Sequence, residues 1–207
     1  MDALLRWVAF LTSLACATAS AKPPAGILAH ACDTPAGTAV YLLAFDPQHG
    51  RDGWGHLGGK ADSGESADQT ALREFHEESN CAYSLEILQR RRLVKFHQSS
   101  NGFISFSLEV PFISARDIEA RNRAICPHVE RERWVWVRHA DIVRGVAPNS
   151  GTRTRLPTYD GSVDTIHLWH ESASAMAGLL WTSGKPVPDP CLSSQNQTHP
   201  KPLRQEK

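Results

Sequence analysis

Glu74, Glu77 and Glu78 stand close together in the chain with Arg73 beside them. On a helix these glutamates fall at i, i+3 and i+4, so their carboxylates share a face. Like charges at those spacings weaken a helix by a few tenths of a kcal/mol per pair. Folding alone gives no reason for such a face, and a divalent cation would relieve it. Carboxylates are hard oxygen ligands, and without Cys or His beside them they suit Mg²⁺ or Mn²⁺ better than zinc. Mg²⁺ also keeps positions open for water and phosphate oxygens. Gly58 and Gly59 lie upstream; glycines let backbone approach such a site closely, and the Gly58 carbonyl is a further candidate ligand. Arg73 can orient a carboxylate through two parallel hydrogen bonds.

The element that must carry these groups is a helix. Ser66 precedes Gln69 by three residues, a capping box that starts the helix at about Ala67. Ala67, Ala71 and Phe75 then recur every four residues as a narrow apolar stripe able to pack on a sheet.

Gly59, five residues, Glu65, seven residues, Arg73-Glu74-Phe75-His76-Glu77-Glu78, one residue, then Asn80 and Cys81 resemble the Nudix box. That pattern is Gly-x5-Glu-x7-Arg-Glu-U-x-Glu-Glu-x-Gly-U, with U bulky and apolar. Every charged position is present. Asn80 replaces the last glycine, and Phe75 and Cys81 are less usual at U. Asn tolerates the left-handed conformation that glycine supplies after a helix.

The resemblance implies a Nudix-like α/β/α sandwich, a mixed β-sheet between helices. It implies Mg²⁺- or Mn²⁺-dependent hydrolysis of a nucleoside diphosphate linked to another moiety: a nucleotide-sugar such as ADP-ribose, a dinucleotide or a nucleoside triphosphate. Glu74, Glu77 and Glu78 would hold the metal, with Glu65 and Arg73 supporting them. The general base would be Glu74 or, because relatives resemble this chain in carrying an acidic residue ahead of a Trp-containing strand, Glu130 or Glu132. The alternative is a Nudix-fold module that binds a nucleotide or a protein without turnover, since fold does not prove activity.

Competing motifs fail on context. Gly53-Trp54-Gly55-His56-Leu57-Gly58 matches Gly-x-Gly-x-x-Gly, but no helix opens at its last glycine. A P-loop would need glycine at Trp54 and Ser or Thr at Ala61. His76-Glu77-Glu78-Ser79-Asn80 lacks the second histidine of a zinc-protease helix.

Residues 1–21 read as a secretory signal: Arg6, the apolar run Trp7 to Ala17, and the small-x-small site Ala19-Ser20-Ala21. That run is too short to span a membrane, and the protein is expected to be secreted or periplasmic. Residues 22–182 form the expected domain and 183–207 an expected disordered tail, rich in Pro, Ser, Gln and Lys. Cys32, Cys81, Cys126 and Cys191 then remain, with three possible pairings. The 22 Lys and Arg balance the 22 Asp and Glu, so no nucleic-acid or membrane affinity is read from bulk charge. The expected partner is a small-molecule nucleotide, and no oligomeric state is legible.

Strands are expected over Gly26 to Ala31, Thr38 to Phe45, Ser84 to His97, Gly102 to Ser114 and Val129 to Val137. Asp117 to Ala124 reads as a short helix or loop. Residues 146–161 read as a long loop, and Thr165 to Trp181 as a second helix.

Overall fold

The computed structural model describes residues 22–46, 53–121, 126, 131–148, 150, 154–160 and 163–195. In chain order the elements are β1 (Ala25–Ala31), β2 (Val40–Phe45), β3 (Trp54–Gly55), β4 (Leu57–Gly59), α1 (Ala67–Glu78), α2 (Leu85–Gln89), β5 (Val94–Gln98), β6 (Ile104–Glu109) and α3 (Ala115–Glu119). They continue with β7 (Trp134–Arg138), α4 (His139–Gly145), β8 (Leu156–Pro157), β9 (Thr165–Ile166), α5 (His170–Leu180), β10 (Trp181–Thr182), β11 (Lys185–Pro186) and α6 (Pro190–Gln195).

Seven strands form one mixed sheet. Its main path runs β3-β2-β1-β6-β5, with β4 paired to β1 and β7 to β2. The β1–β6 pair is parallel and the others antiparallel. Both faces of the sheet are covered, which explains the unbroken apolar run of β2. Val40, Leu42 and Ala44 join Trp134 and Trp136 in a core beneath Ala71 and Phe75 of α1. Tyr41 and Leu43 join Val135 and Val137 in the opposite core, closed by Ile142 of α4 and Met176 and Leu180 of α5. The fold is thus the expected α/β/α sandwich, and the site's helix lies on one face of its sheet.

The helix α1 begins as its sequence dictates. Ser66 accepts from the Gln69 N–H while the Gln69 side chain accepts from the Ser66 N–H. After Ser79 the chain turns through Asn80 and Cys81, both at φ 53°. Asn80 also anchors the turn, donating Nδ2 to the Ile118 carbonyl at 2.8 Å.

Several expectations give way. The run from Ser84 is not all strand: Ser84 caps α2, and the Leu-Glu-Ile-Leu-Gln that follows prefers helix to a sheet. The second long helix starts at His170, not Thr165, because Thr165–Ile166 pairs with Leu156–Pro157 and Leu168 bridges to Trp54. That same pairing interrupts the loop expected over 146–161. The composition of the C-terminal stretch suggested disorder from Ser183 on, yet β11 and α6 fold there. Asp189 receives the N–H groups of Ala39 and Cys191, and Cys191 is disulfide-bonded to Cys32. The second disulfide joins Cys81 to Cys126. The expected signal segment 1–21 and residues 196–207 lie outside the described residues. No described helix is long and apolar enough to cross a membrane.

Candidate active site

Two glutamates of α1, Glu74 and Glu78, point toward the β4 backbone. Glu78 is 1% exposed and accepts from the Gly58 N–H at 2.6 Å. Glu74, 7% exposed, lies against Gly59, where an added Cβ would fall 2.5 Å from the Glu74 carboxylate carbon. Alanine at 59 would therefore displace the Glu74 carboxylate from the place it holds against the backbone.

Two arginines organise the carboxylates. Arg73 donates Nε to Glu65 at 2.8 Å, NH1 to Glu77 at 2.9 Å and NH2 to Glu74 at 3.0 Å. It also reaches the Lys60 carbonyl at 2.8 Å, which ties the glycine loop to the helix. Those bonds hold the Glu65 carboxyl down at about 2, mainly through Arg73, with the Asp62 N–H and Thr70 hydroxyl assisting against partial burial. Arg131, itself 6% exposed, pairs with Glu78 at 2.6 Å and with Asp46 at 2.7 Å. Burial nevertheless pushes the Glu78 carboxyl up to about 8, and Glu74 adds to the rise against the pull of Arg131 and the Gly58 N–H. Repulsion on the acidic face, assigned in the sequence to a cation, is in the fold already answered by Arg73 and Arg131.

The donor set fits a hard divalent cation: all-oxygen carboxylates, two of them buried, backed by a glycine cradle that any side chain would fill. As drawn in by the arginines, Glu74, Glu77 and Glu78 do not converge on one point. Among the described residues, the one group of three with ligand atoms mutually within 4.8 Å is His30, Cys32 and Glu109. There the Cys32 sulfur belongs to a disulfide and is not a thiolate ligand.

Glu130 lies outside the described residues. Glu132 is exposed; it precedes β7, so the inward alternation of Trp134 and Trp136 does not carry back to it. Among the described residues of this charged run, Arg131 is the one that turns inward. Asp46 follows β2 directly and meets Arg131 there.

Beside α1 opens a cavity of about 210 Å³, with Gly58, Gly59 and Arg131 in its lining. His56 lies in the same wall, between β3 and β4. Its N–H donates to Ser172 Oγ at 2.9 Å, its Nδ1 lies 2.5 Å from the same oxygen, and its Nε2 lies 3.2 Å from Ser105 Oγ. Burial holds the imidazole near 4, and the positive charge of Arg131 and neighbouring His97 lower it further, so the ring is neutral at physiological pH. No spacing in the sequence joins His56 to Ser105 and Ser172; the sheet and α5 bring them together.

Solved structures similar in fold include the Nudix hydrolase RenU of M. smegmatis, 16% identical over 76% of this chain and 85% of that one, TM-score 0.44. An Ap4A hydrolase of C. elegans in a binary complex is 19% identical over 58% of this chain and 83% of that one, TM-score 0.41. The NUDIX domain of Shewanella oneidensis NrtR, complexed with ADP ribose, is 13% identical over 75% and 84%, TM-score 0.44. No curated protein matches the sequence. The family model of the NUDIX domain matches residues 25–156, from the first residue of β1 to the first of β8, and takes in the whole glycine loop and α1. The chain belongs to the NUDIX domain family.

Proposed function

We propose that this protein is a divalent-metal-dependent hydrolase that cleaves the pyrophosphate bond of a nucleoside diphosphate linked to another moiety. Family membership supports the class. The observation that carries the reading is the pair of buried carboxylates, Glu74 and Glu78, turned onto the Gly58–Gly59 backbone. Such a pair is unfavourable for the fold alone and suits a site that gathers positive charge around a phosphoanhydride.

Glu74, Glu77 and Glu78 would hold Mg²⁺ or Mn²⁺. When bound, the cation neutralises phosphate charge and makes a coordinated water more acidic. Arg73 fixes the direction of Glu65, Glu74 and Glu77 at once, keeping the carboxylates pointed at the loop as charge changes around them. Glu74 is the first candidate for the general base, taking the water proton onto a carboxylate oxygen; Glu132 and Glu130 are the next candidates. The substrate is a small nucleotide with one end in the cavity, of the nucleotide-sugar, dinucleotide or nucleoside triphosphate type. A secreted or periplasmic location accords with the leader-like residues 1–21 and with two disulfides, which persist in oxidising compartments.

The test is product release from a panel of ADP-ribose, nucleotide-sugars, dinucleoside polyphosphates and nucleoside triphosphates, with and without Mg²⁺ or Mn²⁺. Metal-dependent turnover that vanishes in a folded Glu78→Gln variant is the expected result. Full activity in that variant removes Glu78 from the site. Nucleotide binding without turnover by the wild-type protein moves the assignment to a non-catalytic binding module.

A further inference from the structure

Where β1 ends, the sheet gathers side chains of metal-ligand type on the face opposite α1. Cys32 directly follows β1 and stands two residues from His30, a spacing that sends both side chains to one face of an extended chain. It is the face of Leu28, which packs in the core beneath α4 and α5. β6 runs parallel to β1 with Glu109 in register with His30. A His30 ring nitrogen, the Cys32 sulfur and a Glu109 carboxylate oxygen accordingly lie within 4.8 Å of one another. Cys191 of α6 brings a second sulfur to the same place through its bond to Cys32. Glu109 is exposed and His30 and Cys32 are half-buried, so the group is open to solvent.

While the bridge is closed its sulfurs carry no charge, and His30 and Glu109 alone make a poor chelate. Opening it changes the donor set. A dithiol reductant attacks the bridge, the S–S bond breaks, Cys32 and Cys191 each leave as a thiol, and the reductant ends as the disulfide. Two sulfurs, an imidazole and a carboxylate then stand together, and both thiols release their protons to solvent when a metal binds. Thiolate and imidazole donors in a set of four suit tetrahedral Zn²⁺ and do not suit Mg²⁺. Ligand atoms around such a zinc stand about 3.3–3.8 Å apart, so these donors need close only slightly. Asp189 keeps Cys191 at hand without the bridge, because it accepts from the N–H groups of both Ala39 and Cys191.

We propose that the Cys32–Cys191 bridge and a zinc site are alternative states of one cluster: once a dithiol has opened the bridge, His30, Cys32, Glu109 and Cys191 bind Zn²⁺. Either state ties α6 to the end of β1, so the C-terminal segment stays docked whether the cysteines are oxidised or reduced. The cluster shares no residue with the glutamates of α1 and does not depend on the hydrolase reading.

The test reduces the full chain with a phosphine, removes the reductant without air, and titrates the protein with Co²⁺ and then Zn²⁺. A sulfur-to-cobalt charge-transfer band in the near ultraviolet is expected, absent from the unreduced protein and lost as Zn²⁺ displaces Co²⁺. Carboxylates give no such band, so metal at the glutamates of α1 does not imitate it. Cys81 and Cys126 are reduced as well, and metal bound there would be indifferent to His30 and Glu109. His30→Ala and Glu109→Gln should each weaken Zn²⁺ binding at least about tenfold, read by competition with a chromophoric chelator. Circular dichroism follows the fold. Should the reduced, metal-free chain unfold, Zn²⁺ is expected to restore the native spectrum, at a concentration at least about tenfold higher in the variants than in the wild-type protein. Glu109 is exposed, so Glu109→Gln decides if His30→Ala does not fold. No thiolate band in the reduced wild-type protein, or unchanged Zn²⁺ affinity in either folded variant, overturns the proposal.

Discussion

At the scale of residues, the site is a contest for carboxylates. Arg73 and Arg131 satisfy Glu65, Glu74, Glu77, Glu78 and Asp46, so a metal must share or displace those contacts. The charged positions of the motif were legible because their spacing alone sets them on one helix. Asp46, His56, Arg131 and Ser172 were not, since each reaches the site by tertiary placement that no local period records. Gly59 tests the cradle directly. Gly59→Ala puts a methyl group into the Glu74 carboxylate, and Mn²⁺ affinity should fall about tenfold or more, as read by calorimetry on a protein whose circular dichroism is unchanged. His56 supplies a pH signature. Its folded pKa of about 4 lies below the 6.5 of the unfolded chain, so the unfolded state binds more protons between those values. The stability that the neutral ring secures is complete above pH 6.5 and is lost as pH falls toward 4, by up to about 3 kcal/mol. Denaturant titrations across that window should show a shallower pH dependence in His56→Gln than in the wild-type protein.

At the scale of elements, α1 is over-determined. Its capping box, apolar stripe and left-handed exit at Asn80 all agree with the sequence, which is why its start was legible to the residue. Ser66→Ala should destabilise the protein by about 1 kcal/mol in chemical denaturation, because the Gln69 N–H loses its acceptor. Other elements were less legible for a stated physical reason. The stretch that forms α2 is apolar enough to pass for strand until its Ser84 cap is weighed. The late start of α5 depends on Leu168 bridging to Trp54 and on the Trp169 N–H bonding to the Trp54 carbonyl, partners more than a hundred residues distant.

At the scale of the whole molecule, the C-terminal segment is part of the domain's wall rather than an appendage. Asp189 binds the Ala39 N–H and the Thr38 hydroxyl, His139 Nε2 lies 3.0 Å from the Val187 carbonyl, and Cys191 packs in the core shared by α4 and α5. Replacing both Cys32 and Cys191 with serine should lower stability by about 2–5 kcal/mol, measured by denaturant unfolding, while Cys81–Cys126 stays intact. Composition pointed to disorder because it reports average polarity, whereas the segment is held by a few specific contacts and by the covalent bond of Cys191.

The two bridges are nested, with Cys81–Cys126 enclosed within Cys32–Cys191. With residues 1–21, and so Cys16, removed as an expected leader, oxidation in order of synthesis would join each cysteine to the next to appear, giving Cys32–Cys81 and Cys126–Cys191, neither of which is native. Reaching the native pairing by that route requires reshuffling through mixed disulfides. A producing cell that oxidises the chain in that order needs a thiol–disulfide isomerase as well as an oxidant, and there the yield of the native protein should follow the isomerase.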